Sequence, residues 1–380
     1  RIAHYLQNAV NDNMPSDTDA AQDKAILDHF FEPTEHIDWQ RIAAATALNK
    51  RFSLISGGPG TGKTRTVARL LASLQLKQLE QKRPLLKIAL AAPTGKAAAR
   101  LKESIQNNLA ALHLPTGLDV PTQASTIHRL IGMRPDSDLP RHHPQNPLHI
   151  DLLVVDEASM IDLFVMEKLC NALKPTTRLI LLGDKDQLAS VEAGNIMGEI
   201  AGLMEYGYST THRHYLAQTT NFPAFKQDEV ARPALCDSLC ELKISHRFSQ
   251  NSGIGKLANE TNYQRADSSW TLLSQAQLAD IHLIKYPMNT EWDSQHQWSE
   301  HCVNLVVAQA VSLYREYLAL VKQRIQSPQQ VSVAHIFKAF QKVRFLAALR
   351  VSELGVERLN QRIAEALRQA GLIQFNHSRD

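Results

Sequence analysis

The sequence predicts an α/β fold built on a parallel sheet, and two observations carry that expectation. Phe52-Ser-Leu-Ile-Ser56 is a short apolar run that passes into Gly57-Gly-Pro-Gly-Thr-Gly-Lys-Thr64 and then into a run with Val67, Leu70, Leu71 and Leu74 at helical spacing. That is strand, glycine-rich turn and helix in immediate succession. Similar apolar runs recur downstream at Lys87-Ile-Ala-Leu-Ala-Ala92, Asp151-Leu-Leu-Val-Val155 and Arg178-Leu-Ile-Leu-Leu182, each closing on polar or glycine residues. Runs without apolar/polar alternation are those of strands covered on both faces.

Composition sets the outer limits. The chain has 380 residues, 44% of them hydrophobic, which is ordinary for a water-soluble protein of two or three domains. No apolar run reaches the length of a membrane span and the start lacks a secretory signal, so a cytoplasmic location is expected. The four cysteines lack zinc-ligand spacing, and Cys236 and Cys240 read as buried thiols. Net charge is only +3, but residues 1–40 hold two basic residues against eight acidic ones, so the body of the chain carries the positive excess. That excess is compatible with a phosphate-backbone partner without requiring one.

In chain order, residues 1–32 read as the tail of a preceding region plus a linker, because a polar stretch from Asn11 to Asp19 interrupts two apolar ones. Asp38 caps a helix that carries Gln40, which could reach an adenine edge or simply face solvent. After the glycine-rich turn and its helix, the strand ending at Ala92 leads into Pro93-Thr-Gly-Lys96 and a helix from Ala97 to Leu112. Gln123-Ala-Ser-Thr-Ile-His-Arg-Leu130 reads as a turn with a capped helix start, and residues 133–149 as loop. Residues 203–235 lose periodicity and are expected to be an insertion or mobile loop. A new module is expected to start near 236, with helix from Ile254 to Asn259, a strand at Ile281-His-Leu-Ile284, a long helix around Leu305 to Val321, and helical runs over 335–349 and 357–370.

The chemistry follows from residue type and spacing. Gly57, Gly58, Gly60 and Gly62, with Pro59 and Thr61 between them, let the backbone curl so that N–H groups and a helix N-terminus face a phosphate. Lys63 would reach β- and γ-phosphates, the Thr64 hydroxyl would hold Mg²⁺, and Arg65 completes the nucleotide-binding stretch. Asp156 and Glu157 follow a buried strand. There Asp156 can hold the same Mg²⁺ and Glu157 can deprotonate an attacking water. Gln187, after Gly183-Asp184, stands where it could sense a γ-phosphate. Asp184-Lys185-Asp186 lacks the Asn/Thr-Lys-x-Asp spacing of a guanine-reading loop, so guanine is disfavoured, and a kinase or GTPase reading fails on that missing loop and on the arrangement of the strand-tip Gln187 with Arg247.

Taken in order, Gln40, the 57–64 loop, Ala92-Pro-Thr-Gly-Lys96, Ser125-Thr-Ile-His128, Asp156-Glu-Ala-Ser159, Gly183-Asp-Lys-Asp-Gln187-Leu188 and Ser245-His-Arg247-Phe248 resemble the successive motifs of superfamily 1 DNA helicases of the 1B type. The resemblance covers roughly residues 35–365. It implies a RecA-like P-loop NTPase lobe at 33–235 and a partial second RecA-like lobe with a helical insertion at 236–380, with ATP between them. It also implies that Gln40 contacts adenine, that Gln187 couples the γ-phosphate to lobe movement, and that Arg247 reaches across from the second lobe to the transferring phosphoryl. Pro93, Thr94, Gly95, Lys96, Thr126 and His128 would line a groove for single-stranded DNA. Relatives of this type move 5′ to 3′ beside a helicase-nuclease chain and a recognition chain, as in exodeoxyribonuclease V, in recombinational repair of double-strand breaks.

The sequence departs from the pattern after Asn360, where no late glycine or arginine motif follows. The chain is therefore expected to be a piece of a longer motor, and a nucleotide-dependent DNA-binding or scaffold module is the alternative for the piece alone.

Overall fold

In the computed structural model, residues 2–10, 17–134, 137, 139–188, 194–221, 232–248, 251–275, 278–283 and 295–374 are described. They divide into two units, Arg1–His282 and Leu283–Asp380.

The first unit is built on one sheet of β1 (Phe52–Gly57), β2 (Ile88–Ala92), β3 (Ala124–Thr126), β4 (Leu152–Val155), β5 (Arg178–Gly183) and β6 (Leu239–Leu242). The strands lie in the order β3-β2-β4-β5-β1-β6 and every pairing is parallel. Parallel strands need crossovers, and here helices supply them on both faces. In chain order α1 (Ile2–Val10), α2 (Asp17–Phe30) and α3 (Trp39–Asn49) precede β1, and the helices between strands are α4 (Lys63–Glu80), α5 (Gly95–Ala110), α6 (Ile127–Ile131), α7 (Leu163–Ala172), α8 (Ile196–Gly202) and α9 (Thr210–Thr219). Then come α10 (Gly253–Asn262) and α11 (Ala266–Ser274).

Side chains alternate across the sheet, so successive residues feed opposite cores. Ile55, Val154, Ile180 and Leu182 join one core with α2, α3, α4, α5 and α9. Leu54, Leu153, Val155, Leu179 and Leu181 join the other with α1, α6, α7 and α8. All of β1 and β4 is buried.

Several expectations need correction. Residues 17–32 are no linker: Ile26, Leu27, Phe30 and Phe31 are buried in the main core. Asp23 beneath them takes an ion pair from Lys77 of α4 at 2.6 Å. The polar stretch 11–16 lies outside the described residues. The 203–235 segment contains α9, whose buried Tyr215 and Leu216 supply the apolar face that a weak sequence pattern concealed. Its residues 222–231 lie outside the described ones. Two short strands escaped sequence reading. β3 has three residues, and β6, placed by sequence at the head of a new module, pairs with β1 through Leu54↔Leu239 to Gly57↔Leu242. Residues 281–283 are not strand, while 284 lies outside the described residues.

In the second unit α12 (Gln295–Gln326) and α14 (Val356–Gln369) pack around Ala310, Ile363 and Leu367, with Tyr314 and Phe345 against them, and α13 (Val333–Phe340) meets α12 where Phe340 stacks on Tyr314. Glu300 bridges Arg358 and, at 3.0 Å, Arg362, tying α12 to α14. The described residues of this unit contain no strand. Helix ends at Phe340 rather than 349, leaving Leu346, Leu349 and Val351 exposed. No described helix is long and apolar enough to cross a membrane.

One buried group gives the first unit a pH response. His212 of α9 lies beside Tyr208 and Tyr215, and its Nε2 is 3.2 Å from Thr46 Oγ1. Burial, with Lys50 adding to it and Asp237 opposing, lowers its pKa from 6.5 to about 4. The unfolded chain takes up a proton there that the folded chain resists, so stability present above pH 6.5 is lost as pH falls toward 4. We expect the melting temperature to drop between pH 7 and pH 5, and His212→Gln to flatten that slope. An unchanged slope in the variant would reject His212 as its source.

Candidate nucleotide-binding site

The tips of β1, β4, β5 and β6 come out along one edge of the sheet because all run parallel. Everything that follows these strands is gathered there, which is where open α/β sheets bind ligands.

The loop after β1 is shaped by its glycines. Gly60 and Gly62 have φ of +80° and +86°. A Cβ at Gly60 would come within 2.4 Å of Arg247 Cβ, and one at Gly62 within 2.3 Å of Gln40 Nε2. Neither position admits another residue without strain and displacement. The Thr61 hydroxyl closes the turn on Gly58 O at 2.8 Å, and Lys63 at the head of α4 folds back to donate to Gly57 O and, at 3.4 Å, Gly58 O. Thr64 is half-buried on the first turn of α4 and Arg65 is exposed.

The β4 tip presents both carboxylates. Asp156 is pushed to a higher pKa chiefly by burial, opposed by the Glu157 N–H that donates to it, with the Glu157 carboxylate adding to the rise and the positive charge of Lys63 opposing it. Glu157 stands at φ +53°, left-handed for a residue with a Cβ, and its N–H donates to Asp156 Oδ1 at 2.9 Å. Such strain is held only by surrounding structure and clusters at working sites. At the β5 tip, Gln187 accepts a hydrogen bond from the Ser159 hydroxyl at 3.3 Å, so the β4 and β5 tips are linked. Asp184, buried and raised in pKa mainly by that burial, also feels Lys63. The Val191-Glu-Ala stretch beyond lies outside the described residues.

The loop after β6 brings Arg247 onto Gly60 from within the same unit, rather than across from a separate lobe as the resemblance implied. The reason is register: β6 pairs beside β1, so the residues that follow it land on the loop that follows β1. Gln40 is neither solvated nor turned away; it is buried, and its amide donates to Thr61 O at 3.0 Å.

The second predicted group sits farther along the same edge. Ala92 and Thr126 are partners in the β2–β3 register, so Pro93, Thr94, Gly95 and Lys96 leave the sheet beside Thr126 and His128. Thr94 caps α5 and Thr126 caps α6 through their hydroxyls. Thr94, Gly95, Lys96 and His128 are exposed. The β4 and β5 strands separate this group from the phosphate loop.

Sequence reading missed the supporting residues: Ser56, whose Oγ accepts the Lys185 N–H at 3.0 Å, and Ser159, Ser245 and His246. Ser159, Ser245 and His246 lie inside the recognised motifs, but nothing in a serine's neighbours announces which carbonyl it will meet.

A family model described as an AAA domain matches residues 40–193. The RecBCD enzyme subunit RecD of Haemophilus influenzae is 42% identical over 100% of this chain, which spans 59% of that relative's length. RecBCD enzyme subunit RecD of Mycolicibacterium smegmatis is 43% identical over 62% of the chain and 37% of its own length. An ATP-dependent RecD2 DNA helicase of Deinococcus radiodurans is 42% identical over 38% of the chain and 17% of its own.

Proposed function

We propose, from the chain's relationship along its whole length to RecBCD subunits named RecD, that it carries the ATP-hydrolysing lobe of a DNA helicase subunit. The observation that carries this reading is the convergence of four strand tips on one glycine-rich loop: Lys63 from β1, Asp156 and Glu157 from β4, Gln187 from β5 and Arg247 from β6. The cradle fits a triphosphate, since Gly58 faces open space, Gly60 and Gly62 take the positive φ that curls the loop, and α4 begins directly behind it. A Mg²⁺ ion fits the donor set as well. Thr64 and the buried Asp156 would hold it, and its charge would offset that of the γ-phosphate and relieve the burial that raises the carboxyl's pKa.

Within that site Lys63 neutralises phosphate charge, Glu157 takes the proton of the attacking water, and Arg247 steadies the transferring phosphoryl. Gln187, tied to Ser159, reports the phosphate's departure to neighbouring strand tips. Pro93, Thr94, Gly95, Lys96, Thr126 and His128 contact the phosphates of single-stranded DNA, with two helix N-termini among them. The intact protein moves 5′ to 3′ in a complex with RecB-like helicase-nuclease and RecC-like recognition subunits.

The test is ATP hydrolysis by the full-length protein with and without single-stranded DNA. We expect the rate to rise several-fold with DNA. A rate indifferent to DNA would replace the motor with a nucleotide-dependent scaffold.

A further inference from the structure

The carbonyls of the phosphate loop are all engaged. Gly57 O and Gly58 O take the Lys63 ammonium, and Gly58 O also takes the Thr61 hydroxyl. The next three are held from outside the loop, one donor each. The Ser245 hydroxyl donates to Pro59 O at 3.0 Å, the His246 N–H to Gly60 O at 2.9 Å, and Gln40 Nε2 to Thr61 O at 3.0 Å. Ser245 Oγ in turn accepts the N–H groups of Arg247 and Phe248, both at 3.4 Å, so the hydroxyl joins two backbones at once.

An anion nest works by turning backbone N–H groups toward the ligand, which requires the carbonyls to point elsewhere. A loop whose carbonyls must be drawn outward gains affinity when that arrangement is in place before the ligand arrives. We propose that the segment after β6 is a brace that preorganises the phosphate loop, with Ser245 as its positioning residue. Ser245 and His246 act on the loop's shape through Pro59 O and Gly60 O, and that role is separate from the one proposed for Arg247 at the phosphoryl. The brace also explains why Gly60 tolerates no side chain, since Arg247 Cβ occupies the space. Gln40 braces the same loop from α3, so its amide serves Thr61 O before any adenine.

The proposal rests on the reading of residues 57–64 as a phosphate site. The test is calorimetric binding of inorganic tripolyphosphate and of MgATP to the 380-residue chain, as wild type, Ser245→Ala and Ser245→Thr. Loss of one net hydrogen bond should weaken both ligands equally, about threefold to tenfold, in Ser245→Ala. Ser245→Thr, which keeps the hydroxyl, should recover most of that loss. Unchanged affinity in Ser245→Ala, or weakening of MgATP without tripolyphosphate, overturns the brace. Amide hydrogen exchange over residues 58–62, measured without ligand, separates the two ideas. Faster exchange in Ser245→Ala supports the brace even if the wild type binds neither probe, a result that would sink the phosphate-site reading alone. Unchanged exchange overturns the brace.

Discussion

Lys63→Ala is expected to lower ATP hydrolysis by the full-length protein about 10²- to 10³-fold, the usual cost of removing one preorganised donor from a site of developing charge. Lys63 reaches back over the loop it follows, donating to both Gly57 O and Gly58 O. Its charge is also felt by Asp156 and Asp184, two acids whose burial disfavours ionisation. Removing the ammonium therefore strips charge from the phosphate side and from the carboxylate side together. The fold should survive, because Lys63 is only half-buried and its hydrogen bonds end on loop carbonyls. Phosphate release measured beside circular dichroism checks both parts. A variant that hydrolyses ATP at the wild-type rate would reject the assignment of residues 57–64, and a variant that unfolds would show that Lys63 is chiefly structural.

The site was far more legible in the sequence than its supports were. Glycines at fixed spacing, an Asp-Glu pair after an apolar run and a glutamine after Gly183-Asp184 mark their own chemistry, since few other tasks need those residues in that order. The strand tips that carry them follow the hydrophobic runs at 52–56, 152–155 and 178–182. Supporting contacts carry no such mark. β6 is four residues long and its place beside β1 is a long-range pairing, so Leu239 to Leu242 looked like the start of something new. β3 has three half-buried residues and leaves no period to read. The α9 helix is a polar-looking run, Thr-Thr-His-Arg-His-Tyr-Leu-Ala-Gln-Thr, whose buried His212, Arg213 and Tyr215 are polar residues serving a core. Helix α2 was hidden for the same reason: its four aspartates suggest a solvated linker, yet one of them, Asp23, is fully buried.

Asp23 gives the second large effect, on stability. Its carboxylate accepts Lys77 Nζ at 2.6 Å, Asn49 Nδ2 at 2.5 Å and the Tyr215 hydroxyl at 3.0 Å, so α2 is tied at one atom group to α4, α3 and α9. Asn49 Oδ1 takes a second bond from Lys77 at 3.1 Å, which leaves the ammonium with partners only inside this network among those described. Truncation in Asp23→Ala strands that nearly buried charge and should cost about 3–5 kcal/mol, a melting-temperature fall of roughly 10 °C. Asp23→Leu combined with Lys77→Met removes both charges and should recover much of the loss, because an apolar pair avoids the desolvation that the ion pair must offset. A double variant no better than Asp23→Ala would mean that the network's hydrogen bonds, not its charges, hold the helices. The argument reaches the functional site through α4, which begins at Lys63 and carries Lys77 four turns later. The helix that presents Lys63 is anchored near its far end by a residue from α2. A chain trimmed to start at residue 33 should therefore lose stability in the lobe that holds the nucleotide site, and Asp23→Ala measures how much of that loss comes from a single carboxylate.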